Sequence, residues 1–386
     1  MGNTTIEWTD KTWSPIRARV KEDAPHIAIL HGWTELAEIC ERMKGHVGPH
    51  CEVISTGCNH CYSCTNNHRC LPSNGTGLPF DKRSRELVDI FVDEKILGEP
   101  LRWRKPVKVF VENQSDLFGE WVPFEFIDKV FAVMALTPQH TYQILTKRPE
   151  RMREYCLRLR TVADLIAAAA REIGASHVQG GRIYELLDGN GRLENVWLGV
   201  SVEDQLRADE RIPKLLQTPA AVRFVSYEPA LSAVNFRSIG VTQDKPVGAS
   251  PFSDYPRVLY WNALSGFRAT SFMGGTEGNP KLDWIIVGGE SGAGARPFNI
   301  QWARDVVRQC QQAGVACFVK QLGAYVRWDG IQGGYGDGPS NVWPLPYHKE
   351  HDAGCWHVFL DDRKGGSPEE WPEDLRVREF PSRGGL

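Results

Sequence analysis

From Pro106 onward the chain repeats one pattern: a short β-branched or aromatic run, a few polar residues, then a helical periodicity. The runs are 107–111, 142–145, 196–202, 222–228, 284–287 and 317–319. At 125–136, Phe126, Ile127, Val130, Phe131, Val133 and Met134 make a broad apolar helix face. Further helices are expected after Pro149, through Leu216 and at about 300–313. Parallel strands cannot be joined by a tight turn and need a crossover, which a helix supplies, so this alternation specifies β-α units. The expected class is α/β: a complete or partial TIM-like (β/α) barrel with insertions and an irregular C-terminal tail. An open doubly wound sheet is the rival, but no strand-to-helix turn carries G-x-G-x-x-G, so a dinucleotide-binding fold has no positive signal.

Residues 1–325 are expected to form the barrel, with an entry strand within 5–15 and insertions at about 16–50, 157–194 and 232–281. The first insertion holds a helix near 34–43 and the second an Ala-rich helix at 161–175, while 71–104 is a mixed stretch. The extension 326–386 is rich in Gly, Pro and Trp and is expected to be irregular and packed on the barrel.

Almost every expected strand ends in functional groups. These are Asn113, Ser115 and Asp116; Thr146, Lys147 and Arg148; Ser201 and Glu203; Glu228; Glu290; and Lys320 and Gln321. In a barrel such positions crowd the C-terminal face, where barrel active sites lie. A lone residue of this kind is as readily a loop residue or, for Asp116 and Asp204, a helix cap. Gly288 and Gly289 open a turn whose amides could cradle an anion, or simply make a tight corner.

Cysteines are the second constraint. Cys51, Cys58 and Cys61 are spaced C-x6-C-x2-C, and with Cys64 and Cys70 they put five of the 10 cysteines into twenty residues. Soft thiolates gathered on one loop suit either an iron–sulfur cluster or zinc; three ligands would leave an open coordination position and four would close it. Cys156, Cys310 and Cys317 fall on apolar patterns and are expected to fill the core. His348, His351, Cys355 and His357 have ligand-like spacing but lack a second Cys pair, and are expected as surface histidines on a loop.

The net charge of −3 gives no overall basic signature. The run Lys147, Arg148, Arg151, Arg153, Arg158 and Arg160 is expected as a solvated helix face, a phosphate-binding patch being the sharper alternative. The N-terminus lacks the regions of a signal peptide, and no apolar run reaches transmembrane length. A cytoplasmic, reducing setting follows, in which clustered cysteines serve as ligands rather than disulfides. There is no Ser-His-Asp arrangement, P-loop or H-E-x-x-H helix.

Several motifs together resemble a known family. They are Thr12-Trp-Ser-Pro15, the Cys51/Cys58/Cys61-Tyr62 triplet, Asn113-Gln-Ser-Asp-Leu-Phe118, Leu145-Thr-Lys-Arg-Pro-Glu-Arg-Met152, Asn195 to Asp204, Arg223 to Pro229, Val287 to Gly292 and Phe318-Val-Lys-Gln321. The set resembles the three-Cys-motif phage protein family of mycobacteriophage gene products, a domain of unknown function. That family is similar to radical S-adenosylmethionine (radical SAM) enzymes, although those usually space their cysteines C-x3-C-x2-C.

The resemblance implies a [4Fe-4S] cluster on Cys51, Cys58 and Cys61, with S-adenosylmethionine as cosubstrate. Tyr62 would then lie near the adenine. Gly288, Gly289, Glu290, Ser201 and Glu203 would take its amino-acid and ribose portions. Asn113, Ser115, Asp116, Thr146, Lys147 and Gln321 would complete the cofactor site, with Arg148, Glu228 and Lys320 as catalytic groups. A nucleobase or nucleic-acid substrate, a companion protein encoded nearby and an external electron donor are implied, and no membrane. The alternative is a non-catalytic barrel that binds nucleic acid or a partner, with structural zinc on Cys51, Cys58, Cys61 and Cys64. Residues 16–50 depart from the family pattern by separating Pro15 from the first cysteine, which makes Cys40 a competing ligand. Cys64 and Cys70 lie outside the family triplet.

Overall fold

The computed structural model describes residues 4, 6–69, 75–159, 161–174, 176, 181, 183–185, 187, 191–242, 258–271, 274–292, 294–329, 348–352 and 355–382. The chain divides into two compact units: 1–198 with 218–221 and 384–386, and 199–217 with 222–383.

In the first unit, β1 (Lys11–Trp13), β2 (Lys108–Val111) and β3 (Thr141–Thr146) are parallel, with β2 in the middle. The start of β4 (Val196–Ser201) follows on β3, where the Tyr142 amide donates to the Asn195 carbonyl at 2.8 Å. The helix Phe124–Leu136 buries Ile127, Val130, Phe131, Val133 and Met134, the face its periodicity announces. The helix Pro149–Arg158 opens on a proline, which lacks the N–H that a first turn could not use. The Ala-rich pattern becomes the helix Ala163–Glu172.

Residues 16–50 are more than an excursion. Ile16–Val20 pairs antiparallel with both Val47–Gly48 and Val88–Val92. The helices Ala24–Leu30 and Thr34–Met43 belong to the same region. Ala18, Val20, Leu36, Cys40, Met43 and Leu87 form its small core. Cys40 is therefore a buried apolar filler and not a competing ligand. Val88–Val92 was hidden inside the mixed stretch 71–104 because its partner strand lies some seventy residues earlier.

In the second unit the end of β4 lies beside β5 (Val222–Tyr227), with the Val202 amide donating to the Ser226 carbonyl at 2.9 Å. β6 (Trp284–Gly288) pairs in parallel with β5 and with β7 (Ala316–Gln321). Every residue of β4 and of β6 is buried, the condition of a strand covered on both faces, which is why these strands read as continuous apolar runs. Among the described residues the largest sheet has seven strands, and the chain is a mixed α/β protein. The helix Gln205–Leu216 is capped by Asp204, whose carboxylate accepts from the Arg207 amide at 2.8 Å. The helix Ile300–Ala313 is capped by Asn299 and closed by Gly314 at φ 62°, a left-handed stop that glycine adopts without cost to a Cβ. Ile239–Thr242, Val258–Asn262, Phe267–Ser271 and Gly274–Thr276 form an antiparallel sheet inside the third insertion.

Among its described residues the C-terminal extension, expected to be irregular, contains three strands. Val326–Asp329, Cys355–Val358 and His348–Asp352 join Phe298–Asn299 in a four-stranded sheet. Residues 377–379 run antiparallel along β7, with the Val319 amide donating to Val377 and the Glu379 amide to Cys317, both at 2.8 Å. These strands are too short to show a period of two, and backbone pairing rather than patterning defines them. His348, His351, Cys355 and His357 thus lie on strands instead of the expected loop. The His357 ring lies 4.4 Å from Tyr325 and 4.2 Å from Phe359. Among the described residues no helix is long and apolar enough to cross a membrane.

Candidate functional site

The site in the first unit begins where β2 ends. Glu112 follows directly at φ 53°, the left-handed region that a side-chain-bearing residue occupies at a cost of about 1–2 kcal/mol. Two hydrogen bonds hold it there: its amide donates to the Trp13 carbonyl at 2.9 Å, and its Oε1 accepts from the Ile16 amide at 2.8 Å. The carboxyl is buried, and its Oε2 has no hydrogen-bond partner among the described residues. Burial is the main cause that pushes it up to about 8; the Ile16 amide and Arg17 oppose this, and Asp116 adds to it.

That shift has a consequence for stability. In the unfolded chain the carboxyl returns to its usual value of 4.5, so between about pH 4.5 and 8 the folded protein binds a proton that the unfolded chain does not. Stability is then highest below pH 4.5 as far as this group is concerned, and falls as pH rises, by at most about 1.4 kcal/mol per pH unit. Denaturant midpoints from pH 5 to 8 are expected to show this decline in the native protein and to lose that component in Glu112→Gln.

Beyond Glu112, residues 113–116 carry the cysteine loop. Ser115 Oγ donates to the His50 carbonyl and Ser63 Oγ to the Gln114 carbonyl, each at 2.6 Å. The Tyr62 hydroxyl donates to the Asn113 carbonyl and accepts from Asn113 Nδ2 at 3.1 Å. Asn113 in turn accepts from Ser14 Oγ at 3.1 Å, which links the Thr12-Trp-Ser-Pro15 segment to the loop. The loop is therefore fastened to the C-terminal end of a parallel strand.

Asp116 joins the ends of β2 and β3. It is buried and accepts from the Phe118 amide (3.0 Å), Thr146 Oγ1 (2.7 Å), the Lys147 amide (3.1 Å) and Arg148 Nη1 (3.0 Å). Arg148 is buried as well: its Nε donates to Glu120 at 3.0 Å, its Nη2 to the Glu52 carbonyl at 3.3 Å, and the guanidinium lies 4.5 Å from the centre of the Trp121 ring. Arg148, expected as a catalytic group, is thus engaged by Asp116, Glu120, the Glu52 carbonyl and the Trp121 ring. Arg151 and Arg158 of the basic run are also drawn into packing. Arg151 donates to the Gly119 and Val122 carbonyls, and Arg151 and Arg158 each lie 4.5 Å from the Phe124 ring centre. Arg148 of the run is thus buried and Arg151 and Arg158 are partly covered, which departs from a wholly solvated face; Arg160 lies outside the described residues.

Cys58 ends the 3-10 turn Thr56–Cys58, and Cys61 immediately precedes the helix Tyr62–His68. Cys51, Cys58 and Cys61 are half-buried free thiols. Burial pushes the Cys51 thiol up; Asp116 adds to this, Arg148 opposes it, and Cys61 and Cys58 raise it further. The three sulfurs thus share one electrostatic neighbourhood with the Asp116–Arg148 pair. Cys64 is raised by burial too, with the Phe80 backbone opposing and Cys61 and Cys58 adding. Cys70 lies outside the described residues. Among the described residues no three His, Cys, Asp or Glu side chains already converge on one metal point. The donor chemistry fits a thiolate-bound metal: the thiols are soft, unbridged and carried on one anchored loop.

Residues flanking Cys51 went unrecognised in the sequence. His50 and Glu52 are both buried. Glu52 Oε1 accepts from Arg85 at 2.5 Å, and the His50 ring meets Trp121 edge-on at 5.0 Å. Although burial would raise the Glu52 carboxyl, hydrogen bonds from His50 and Arg85 hold it below its ordinary range. The one available signal was a charged residue on each side of a cysteine in an otherwise apolar stretch.

The second unit holds its own group of strand-end residues. Glu228, after β5, pairs with Lys320 of β7 at 3.0 Å and accepts from Ser226 Oγ at 3.2 Å. Gly288 sits between them: a Cβ there would come within 2.8 Å of Glu228 Oε1. A Cβ on Gly289 would come within 2.4 Å of the Leu322 carbonyl oxygen, and Gln321 Nε2 donates to the Gly289 carbonyl at 2.8 Å. These contacts make the Gly-Gly turn a close-packed corner. Glu228, Gly288, Lys320 and Gln321 are thus brought together.

Others are not part of that group. Glu290 is bound by Arg296 at 2.7 Å. Glu203, expected at the cofactor, is completely buried against Arg211 at 3.1 Å, and the same guanidinium donates to the Ser201 carbonyl at 2.8 Å.

The family described as "Protein of unknown function (DUF5131)" matches residues 42–358, a span that includes the cysteine loop and every parallel strand after β1. No curated protein and no solved structure matches the chain.

Proposed function

The chain belongs to that family, and from this premise we propose that it is an iron–sulfur enzyme of the radical SAM type, with its parallel strands in a partial TIM-like arrangement. The observation that carries the proposal is the anchored loop: three free thiols at Cys51, Cys58 and Cys61, fastened to the end of β2 and beside the buried Asp116–Arg148 pair. Those three cysteines would hold a [4Fe-4S] cluster and leave one iron open. When bound, such a cluster supplies the electron for reductive cleavage of S-adenosylmethionine, and the cofactor chemistry generates the hydrogen-abstracting species. The protein's own part is positioning. Asn113 holds the Tyr62 hydroxyl, which leaves the half-exposed ring as a stacking surface for the adenine. Lys320 and Glu228 form a partly accessible ion pair that can neutralise a carboxylate or hold a proton. A nucleobase or nucleic acid is the proposed substrate on the family resemblance alone, since Arg148, Arg151 and Arg158 of the basic run are engaged within the protein.

A second proposal keeps a specific observation in its favour, the closeness of Cys64 to Cys58 and Cys61. In it the four sulfurs hold a structural zinc on a non-catalytic module. Anaerobic purification followed by iron, sulfide and zinc analysis separates the two. About four irons and four sulfides, with a visible band that bleaches under dithionite, is the expected result. Release of 5′-deoxyadenosine from S-adenosylmethionine would follow. A colourless protein with one tightly held zinc overturns the enzyme proposal.

A further inference from the structure

Among the described residues Glu112 is the only side-chain-bearing residue at positive φ, and it stands at the junction of three segments. Behind it β2 ends. To one side its carboxyl clasps the Ile16 amide, where the small antiparallel sheet begins. Ahead of it, its carbonyl accepts from the Ser115 amide at 3.1 Å and closes a turn. That turn carries the anchors of the cysteine loop: Asn113 on Tyr62, the Gln114 carbonyl on Ser63, and Ser115 on the His50 carbonyl. The 13–16 corner meets the turn again through Ser14 Oγ on Asn113. The left-handed backbone of Glu112 therefore sets the direction in which residues 113–115 leave the strand, and the clasp on Ile16 holds that backbone against its strain.

Three charged groups face this carboxyl. Arg17, on Ile16–Val20, is the cation; Asp116, beyond the turn, is an anion; and Asp93, just before the helix Glu94–Leu97, faces Arg17 in its turn. The residue is 2% exposed, and its Oε2 has no hydrogen-bond partner among the described residues. A closed clasp therefore favours the neutral carboxyl, and a clasp swung into water favours the carboxylate. We propose that Glu112 is a proton-operated latch, whose neutral carboxyl keeps the 112–115 turn and the cysteine loop in place and whose ionisation lets the two open together while the rest of the unit stays folded. The latch acts on the anchor of the loop and does not depend on what the cysteines hold. Its sign follows from linkage. With the closed carboxyl at about 8 and the open one at its usual 4.5, opening becomes easier as pH rises between these values, by at most about tenfold per pH unit, and levels off above 8.

The test is amide hydrogen exchange of the whole protein, read by mass spectrometry from pH 5 to 9. Native protein and Glu112→Gln are compared at each pH, which cancels the intrinsic pH dependence of exchange. The ratio of native to variant exchange is expected to rise at least about tenfold from pH 5 to 8 in peptides covering 12–18, 50–65 and 112–118, and to rise no further at pH 9. Peptides from the helices Phe124–Leu136 and Gln205–Leu216 are expected to keep a constant ratio. Glu112→Gly, which adopts φ 53° without strain but carries no carboxyl, is expected to lack the same pH dependence and serves if the first variant folds poorly. A ratio that does not change with pH overturns the proposal. So does one that rises equally in every peptide, which is global unfolding, and so does a rise in 12–18 and 112–118 that leaves 50–65 unmoved, since the latch would then not reach the cysteine loop.

Discussion

Cys58→Ser, purified without oxygen, is expected to retain less than about a tenth of the native iron and to lose its visible colour, whereas Cys64→Ser keeps both. The argument is one of ligand count. Cys51, Cys58 and Cys61 lie on a loop fastened to residues 113–115 by three side-chain hydrogen bonds, so removing one sulfur leaves two that cannot retain a four-iron cluster. Cys64 lies one turn into the following helix, with the Phe80 backbone acting on its thiol. Cys51→Ser and Cys61→Ser are expected to behave like Cys58→Ser. Circular dichroism distinguishes a lost cluster from a lost fold, because the strands of both units keep their own packing. If Cys64→Ser also strips the metal, and the metal is zinc, the closed four-sulfur site replaces the open one. Inductively coupled plasma analysis of the four variants decides the matter.

Arg211→Met is expected to lower the stability of the second unit by roughly 3–5 kcal/mol. Arg211 and Glu203 are 1% and 0% exposed, and the guanidinium also serves the Ser201 carbonyl. Removing the cation leaves a carboxylate buried without its counter-charge, a far larger penalty than the net worth of the pair. The double variant Glu203→Leu/Arg211→Met is expected to recover most of the loss, since an apolar pair of similar volume needs no desolvation of charge. Guanidinium unfolding of the three proteins measures both effects. The same series asks what Glu203 is for. Under the proposed function, a residue that only neutralises Arg211 can be replaced in the double variant without changing the proposed S-adenosylmethionine binding, while a cofactor ligand cannot.

The parallel strands from β2 onward were legible to within a residue or two, and the entry strand only as lying within 5–15. β4 and β6 are buried on both faces, and such strands must be written as unbroken apolar runs. The helices Gln205–Leu216 and Ile300–Ala313 were legible for the matching reason, a one-sided periodicity that a half-buried helix imposes, and Phe124–Leu136 by its broader apolar face. Val88–Val92 and the C-terminal strands were not, because a short strand is defined by a distant partner and carries little pattern of its own.

Functional groups followed a different logic. The sequence placed charged residues at strand ends but could not say which were already occupied. Arg148 is engaged by Asp116 and Glu120, Glu203 by Arg211, and Glu290 by Arg296, pairings that depend on side chains meeting in space. Nor could it disclose the left-handed turn at Glu112, since nothing in the letters says that a glutamate will be forced there. By itself, then, the sequence determined the α/β class, the spans of the parallel strands after the first and of the longer helices, and the clustering of thiols on one loop, all of which follow from local composition and period. The tertiary structure alone decided where that loop is fastened and which ionisable groups remain accessible, because burial and charge pairing are properties of neighbours that lie far apart along the chain.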